Sequence, residues 1–286
     1  MVTPEEDAPL IQAAVALAEK SDVVIAFLGG NEYTAKEAYF NSGIGDRDSI
    51  DPVGQQNELM QALKATGVPV VLALKHRRTL SFVTLDACAS AILDCWELSE
   101  RGHEAIAQIL FGQVNPSGKL PVTVPRSVGQ LPAYYSQKNI NFKKGYLFTK
   151  STPLYPFGFG LSYTRFAYGN LKIENWGSAR DVDVTVCFDV TNTGDRAGKE
   201  VCQLYVRDVI GSVTRPAKEL KDFVKVELKP GETRALRFKL TTDKLAFTGM
   251  DMKWTAEPGD FEVLVGGSSQ EGLKGSFRLT LGPSDK

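Results

Sequence analysis

The hydrophobic pattern of this chain changes once along its length, and that change limits the folds it can adopt. Up to about residue 115 the apolar residues form short continuous runs, such as VVIAFL at 23–28 and VPVVLAL at 68–74. Runs of this kind are typical of strands buried on both faces of a parallel sheet. From about residue 166 apolar and polar residues alternate instead, as in DVDVTVCFDV at 181–190. Alternation indicates antiparallel strands with one buried face.

The first region predicts strands that alternate with amphipathic helices. The predicted helices cover 5–20, a segment that begins at Asp51-Pro52, and 102–112, while the predicted strands cover 22–28, 68–74 and 90–96. A helix that follows each buried strand is the arrangement of a parallel sheet covered by helices. We therefore predict that residues 1–115 form an α/β sandwich domain with a mostly parallel sheet.

A proline-rich segment separates the two patterns. Residues 115–135 contain four prolines and two glycines, which exclude a helix interior there. We interpret residues 116–165 as an extended connector packed on the first domain.

Turn signals recur between the alternating runs of the last region. They are Asn192-Thr193-Gly194, Pro230-Gly231 and Pro258-Gly259. About seven strands fit at this spacing, which is typical of an antiparallel β-sandwich. Residues 166–286 are therefore predicted to form a second, all-β domain.

Composition excludes several classes of partner. The 286 residues are 43% hydrophobic and 23% charged, and the formal net charge is −1. No basic excess attracts nucleic acid, and no run of eighteen apolar residues predicts a membrane span. The four cysteines, Cys88, Cys95, Cys187 and Cys202, form no C-x-x-C pair. We expect them to be small buried hydrophobic residues, and we expect neither a metal nor another cofactor.

The candidate site is the long polar loop after the first strand. The strand ends at Gly29-Gly30, and about twenty polar residues follow before the next helix. In open α/β sheets ligands bind outside the carboxyl ends of the strands, and long loops there are usually functional. The loop carries Glu32 and Glu37. Gly29-Gly30-Asn31 could instead cradle a phosphate, although the G-x-G-x-x-G spacing is missing.

Several motifs in fixed order resemble the C-terminal two-thirds of glycoside hydrolase family 3 enzymes, the β-glucosidase and β-xylosidase group. They are VVIAFLGGNEYTAKEA with GDRDSIDPVGQQNEL, then ILFGQVNPSGKLPVTVPRSVGQLPAYY, then PLYPFGFGLSYTRFAY, and finally TNTGDRAGKEVCQLYVRD with RPAKELKDFVKVELKPGET. Together they extend from about residue 20 to 270.

The resemblance implies an α/β sandwich domain followed by a fibronectin type III-like β-sandwich. In this family an N-terminal (β/α)8 barrel carries the aspartate nucleophile, and the α/β domain contributes the acid/base glutamate. We expect 286 residues with these two domains to leave no length for a barrel. The chain is then the C-terminal part of a retaining β-glycoside hydrolase, inactive alone, whose barrel comes in cis or in trans.

The resemblance does not decide which glutamate is the acid/base. Many relatives have it directly after the strand-end glycine, where this chain has Gly30. A subgroup with a GGNE loop has it in an element similar to Lys36-Glu37-Ala38-Tyr39, so Glu37 is the first candidate and Glu32 the alternative. Both could also be solvated surface carboxylates.

Two segments at predicted strand ends depart from the family pattern. Lys75-His76-Arg77-Arg78 stands where relatives have an Asn-Gly-Arg-Pro type turn, and residues 97–104 replace a glycine- and glutamine-rich turn. We predict that the two histidines, His76 and His103, are solvated loop residues. The aromatic residues of 155–160 are interpreted as packing for the connector and alternatively as a sugar-stacking platform.

Two other functions remain open from the sequence. The chain could be a non-catalytic assembly or carbohydrate-interaction module, or a nucleotide-binding α/β protein. A surface that normally meets a barrel would be apolar, which favours homo-oligomers in its absence.

Overall fold

The computed structural model describes residues 4–31, 34, 47–138 and 145–282. They form two compact units. The first unit is made of Met1–Gln113, Val124–Pro132 and Tyr146–Leu154, and the second of Val114–Thr123, Ala133–Gly145 and Tyr155–Lys286.

Helices and strands alternate in the first unit. The helices are α1 (Pro4–Ala18), α2 (Gln56–Ala65), α3 (Val83–Cys88) and α4 (Gly102–Leu110), and the strands are β1 (Val24–Gly29), β2 (Val70–Lys75) and β3 (Ala91–Asp94). The three strands are parallel, in the order β1-β2-β3. The predicted α/β fold with a parallel sheet is confirmed.

The core of the first unit lies beside the central strand. Leu72 and Leu74 of β2 are fully buried. Helix α2 packs against α3 and α1. The buried apolar side chains of these helices are Met60, Leu63 and Leu85. Continuous burial along β2 explains why its sequence is apolar without alternation.

One face of β1 remains exposed. Ile25 and Phe27 point to the same side of the strand, and Phe27 is 62% exposed. The preceding helix also exposes apolar side chains, Leu10 and Leu17. We call the exposed face of Ile25 and Phe27 the β1 surface. The first unit therefore does not bury all of its large apolar side chains.

The sequence predicted the start of α2 incorrectly. The helix was expected to begin at Asp51-Pro52, but it begins at Gln56. Gly54 has a left-handed backbone with φ +68°, which interrupts a right-handed helix. Asp51 instead belongs to a turn, in which its carboxylate accepts a hydrogen bond from Ser49 Oγ at 2.9 Å. A short helix, α3, was also missed.

The second unit consists of antiparallel strands. They are β4 (Phe166–Asn175), β5 (Asp183–Asn192), β6 (Gly198–Asp208), β7 (Glu219–Leu228), β8 (Thr233–Thr241), β9 (Phe247–Thr248), β10 (Trp254–Thr255), β11 (Gly259–Gly266) and β12 (Leu273–Leu279), with a short helix α5 (Thr242–Leu245). One sheet has the order β12-β11-β6-β7 and the other β4-β5-β8. These seven main strands confirm the predicted antiparallel β-sandwich.

The sandwich has a continuous core built from both sheets. Alternate residues of β5 are buried, including Val186 and Phe188. The Phe188 ring stacks on Phe238 at a centroid distance of 5.3 Å, and Leu204 of β6 is also fully buried in this cluster. Period-two alternation in the sequence thus corresponds to one buried face per sheet.

Part of the proline-rich segment belongs to the second unit and packs there. Leu120 N–H donates to the carbonyl of Phe159 at 2.8 Å. Lys119 Nζ lies 3.1 Å from a carboxylate oxygen of the buried Glu200. Tyr135 stacks on Phe157 at 4.2 Å. These contacts favour the packing interpretation of the aromatic run 155–160. The limits 1–115, 116–165 and 166–286 remain a prediction.

Two further expectations concern the whole chain. The four cysteines are free thiols, and Cys95 and Cys202 are buried. In the part of the chain that the structure describes, no helix has the length and apolar character needed to cross a bilayer.

Candidate active site

The parallel register brings three strand ends to one edge of the sheet. Gly29 of β1 is paired with Lys75 of β2, and Leu74 is paired with Asp94 of β3. Because the strands are parallel, the residues that follow them leave from the same edge. In open α/β sheets this carboxyl edge is where ligands bind. The candidate site is built from these strand ends and the loops that follow them.

Gly29 sits in a position that excludes every side chain. Its φ is +134°, and an added Cβ would lie 1.8 Å from the carbonyl oxygen of Lys75. Gly30 N–H donates to the same carbonyl at 2.9 Å. The glycine pair therefore ends the strand and lets the chain leave the sheet close to β2.

The loop begins with a tight turn. Asn31 N–H donates to Thr34 Oγ1 at 2.9 Å, and Thr34 N–H donates to Asn31 Oδ1 at 3.1 Å. Asx turns of this type fix the direction of a chain at the start of a loop. Both candidate glutamates, Glu32 and Glu37, lie outside the described residues, so their roles stay predictions.

The returning part of the loop is held by backbone acceptors. Arg47 Nη1 donates to the carbonyl of Thr34 at 3.3 Å, and Nη2 donates to the carbonyl of Asp51. Ser81 N–H donates to the carbonyl of Ile50 at 2.9 Å. Arg47 thus holds the returning chain through the backbone carbonyl oxygens of Thr34 and Asp51.

Sequence reasoning missed Gln56, which joins the two ends of the loop. Its Oε1 accepts from Gly29 N–H at 2.7 Å. Its Nε2 donates to the carbonyls of Gly29 and of Val53, both at 2.8 Å. A glutamine at the start of α2 gives no sequence signal for a bond to a residue 27 positions away. Only the folded sheet edge brings them together.

These contacts also weigh against phosphate binding. A phosphate-cradling turn needs free backbone N–H groups that point at the ligand. The amide of Gly29 is bound to Gln56 Oε1, and the amide of Gly30 is bound to the Lys75 carbonyl. Neither amide is available to an anion.

The prediction for His76 was wrong. It was expected to be solvated, but only 3% of it is exposed. Its Nδ1 lies 2.7 Å from the carbonyl oxygen of Arg78 and its Nε2 lies 2.6 Å from Asp94 Oδ1. Both ring nitrogens therefore lie within hydrogen-bonding distance of an oxygen atom. The reason is the parallel register, which places the ends of β2 and β3 side by side.

Trp96 completes this edge. It has a left-handed backbone, with φ +52°, which is uncommon for a bulky residue. Its ring lies 4.8 Å from the His76 ring. Next to it, Arg77 and Glu97 form an exposed ion pair at 2.6 Å. The second histidine, His103, is exposed at the start of α4. Strained residues tend to cluster at functional sites.

The described part of the site offers binding and positioning groups. Within residues 4–31, 34, 47–138 and 145–282, no three His, Cys, Asp or Glu side chains come together as a metal site. The described part of the loop carries the carboxyl groups of Asp48 and Asp51, and both glutamate candidates lie between Asn31 and Arg47, outside the described residues.

The comparisons with known proteins agree with this architecture. Residues 6–163 match the glycosyl hydrolase family 3 C-terminal domain, and residues 200–269 match the fibronectin type III-like domain. The periplasmic β-glucosidase of Salmonella typhimurium is 42% identical over 288 residues, covering 97% of this chain and 37% of the relative. A β-xylosidase of Formosa agariphila is 43% identical over 260 residues, covering 90% of this chain and 35% of the relative.

A solved β-glucosidase structure is also similar to this chain. A β-glucosidase from Erythrobacter marinus superposes with a TM-score of 0.91 at 47% identity, covering 98% of this chain and 37% of that chain. The chain therefore spans little more than a third of the relatives it matches. With these matches over both of its units, the chain belongs to glycosyl hydrolase family 3, as the family's C-terminal domain followed by a fibronectin type III-like domain.

Proposed function

We propose that this chain supplies the acid/base half of a retaining β-glycoside hydrolase site. The observation that carries the proposal is that the two ends of the loop, at Gly29 and Gln56, are joined at the carboxyl edge of a family 3 α/β domain. Glu37 is the first candidate for the acid/base and Glu32 the alternative.

The chemistry needs a second carboxylate that the proposal assigns to another domain. Retaining hydrolysis uses a nucleophile and an acid/base about 5–5.5 Å apart. The acid/base first protonates the leaving oxygen and then activates the water that hydrolyses the glycosyl intermediate. The nucleophile would be the aspartate of a (β/α)8 barrel, in cis or in trans. One glutamate alone cannot perform both tasks.

The substrate class follows from the relatives. They are named as a β-glucosidase and a β-xylosidase, and a β-glucosidase structure from Listeria innocua, 30% identical to this chain, contains glucose. We propose a β-linked glucoside or xyloside as substrate.

Aryl β-glycosides test the proposal with the chain alone and with a barrel attached. The fusion joins this chain to the part of the Salmonella relative that precedes the matched region. We expect no hydrolysis of aryl β-glucosides or β-xylosides by the chain alone and measurable hydrolysis by the fusion. Turnover by the purified chain alone would overturn the division of labour. A folded but inactive fusion would count against the acid/base role.

An assembly role is the second candidate, and the β1 surface favours it. Leu10, Leu17, Ile25 and Phe27 are large apolar side chains exposed on α1 and β1. Exposed apolar patches commonly mark interaction surfaces. If they drive self-association, Phe27→Ser should lower the average mass in light scattering, while Phe223→Ser, at a comparably exposed position of the sandwich, should not. A monomeric parent chain at high concentration would remove this candidate.

A further inference from the structure

We infer that Gln56 is a positioning residue for the acid/base loop. The inference rests on the proposed function, because it assigns Gln56 a role in how that loop presents its carboxyl group. Gln56 is the first residue of α2, and the bonds of its side chain reach the last residue of β1.

The side chain makes three of the four hydrogen bonds that a glutamine amide can form. A glutamine amide offers one acceptor oxygen and two N–H donors. Here the oxygen accepts from Gly29 N–H at 2.7 Å, and Nε2 donates to the carbonyls of Gly29 and Val53, both at 2.8 Å. Three bonds of normal length fix the orientation of the amide.

These bonds tie the departing chain to the returning chain. Gly29 is where the loop leaves the sheet, and Val53 lies on the return to α2. The Lys75 carbonyl holds Gly30 from the β2 side. The entrance and exit of the loop are therefore fixed to each other as well as to the sheet. Small displacements of a catalytic group reduce turnover strongly, by about 100-fold for 1 Å.

The fold itself depends little on Gln56. Strand β1 is paired with β2 along its whole length. Helix α2 is anchored by the buried side chains of Met60 and Leu63. Loss of the Gln56 amide should therefore change the loop more than the stability of the unit.

Gln56→Glu is the variant that most selectively removes the two N–H donors of the amide. Glutamate has the same length and keeps an acceptor for Gly29 N–H, but it puts an oxygen against two carbonyls that need donors. Gln55→Glu is the matched control, because it adds the same charge at the adjacent position and Gln55 makes no side-chain cap bond to α2. Gln56→Ala, which adds no charge, is the second variant.

The measurement is hydrolysis by the barrel fusion on substrates with good and poor leaving groups. A misplaced general acid slows poor leaving groups, which need protonation, more than activated ones. We expect Gln56→Glu and Gln56→Ala to lower kcat/KM, which reports the step that releases the leaving group, about 100-fold on an alkyl glycoside and much less on a dinitrophenyl glycoside. The unfolding temperature should stay near the parent value, and Gln55→Glu should resemble the parent.

The outcomes distinguish a failure of the role of Gln56 from a failure of the proposed function. An active parent fusion with equal losses on both leaving groups, or equal effects of Gln55→Glu and Gln56→Glu, overturns the role of Gln56 alone. An inactive parent fusion removes the proposed function and this inference with it. Amide exchange in the unfused chain is an independent check. Gly29 N–H should exchange faster in Gln56→Ala, and unchanged exchange would contradict the three-bond arrangement whatever the activity.

Discussion

The two units of this chain differ in how they bury apolar side chains. The seven main strands of the sandwich are 7 to 11 residues long, and alternate side chains from both sheets enter one continuous core. The strands of the α/β unit are 4 to 6 residues long, and β1 exposes Ile25 and Phe27. The sandwich closes one continuous core between its two sheets, whereas the α/β unit leaves one face of a sheet strand exposed.

Polar groups show the same difference. In the sandwich, Lys119 and Tyr168 both contact the buried carboxylate of Glu200. In the α/β unit the notable polar contacts lie at the carboxyl edge of the sheet, at Gln56 and at His76 with Asp94. On the proposed function the α/β unit carries the site, and we expect the sandwich to be the more stable unit.

The largest effect should come from the sandwich core. Phe188 is buried and stacks on Phe238 at 5.3 Å. Phe188→Ala should lower the free energy of unfolding by about 3–5 kcal/mol, because it removes a large side chain from a packed core. Urea unfolding followed by circular dichroism measures it.

The matched control is Phe27→Ala on the exposed face of β1. An exposed position should change the free energy of unfolding by about 0.5 kcal/mol or less. Equal losses for Phe188→Ala and Phe27→Ala would break the contrast between the two units.

The next largest effect on stability should come from breaking one ion pair in each unit. Lys119→Met leaves Glu200 buried without its cation, with side chains that are 14% and 6% exposed. Breaking a buried pair in this way should destabilise by about 3 kcal/mol. Arg77→Met breaks a pair whose side chains are 44% and 46% exposed, which should matter by less than about 1 kcal/mol. A larger loss for Arg77→Met would contradict the assignment of stability to the sandwich.

Thiol reactivity gives a finer comparison. Burial raises the pKa of both Cys202 in the sandwich and Cys95 in the α/β unit to about 11. Only about one thiol in a thousand is then a thiolate at pH 8, so both should react slowly with an aromatic disulfide reagent. With increasing urea, Cys95 should become reactive before Cys202. Cys95→Ala and Cys202→Ala assign the two signals, and the reverse order would contradict the account.

The smallest effect is a dependence on pH at one end of the sandwich. Burial raises the pKa of Asp208 above its usual value, and Arg215 only partly opposes this. The folded state therefore holds this proton more tightly than the unfolded state, so ionisation of Asp208 reduces stability as the pH rises through the raised pKa. Asp208→Asn should gain stability relative to the parent between pH 3.5 and pH 7. A constant difference across that range would contradict the shift.

The sequence predicted the parts of the fold that depend on local pattern. Alternation in 181–190 marks β5 because each buried residue is two positions from the next. Continuous apolar runs mark β1 and β2, because strands of a parallel sheet covered by helices are typically apolar on both faces. The start of α2 was predicted too early. Gly54 has a left-handed backbone, so no helix can run from Pro52 through this position.

The site depended on long-range neighbours that no local pattern encodes. His76 was assigned to a solvated loop after a predicted strand, yet the register of β2 and β3 places it against Asp94. Gln56 was not recognised because its partner, Gly29, is far away in the chain. The strand-end glycines were recognised, since a glycine break after an apolar run is itself a local signal.

The most direct test of the central claim is the kinetics of Glu37→Gln in the barrel fusion. If the loop supplies the acid/base, Glu37→Gln should lower kcat/KM on an alkyl β-glycoside by about 10²–10⁴-fold. Glu32→Gln, which makes the same change five positions earlier on the loop, should remain within about tenfold of the parent. If both variants hydrolyse the alkyl glycoside as fast as the parent fusion, this chain does not supply the acid/base and the account is wrong.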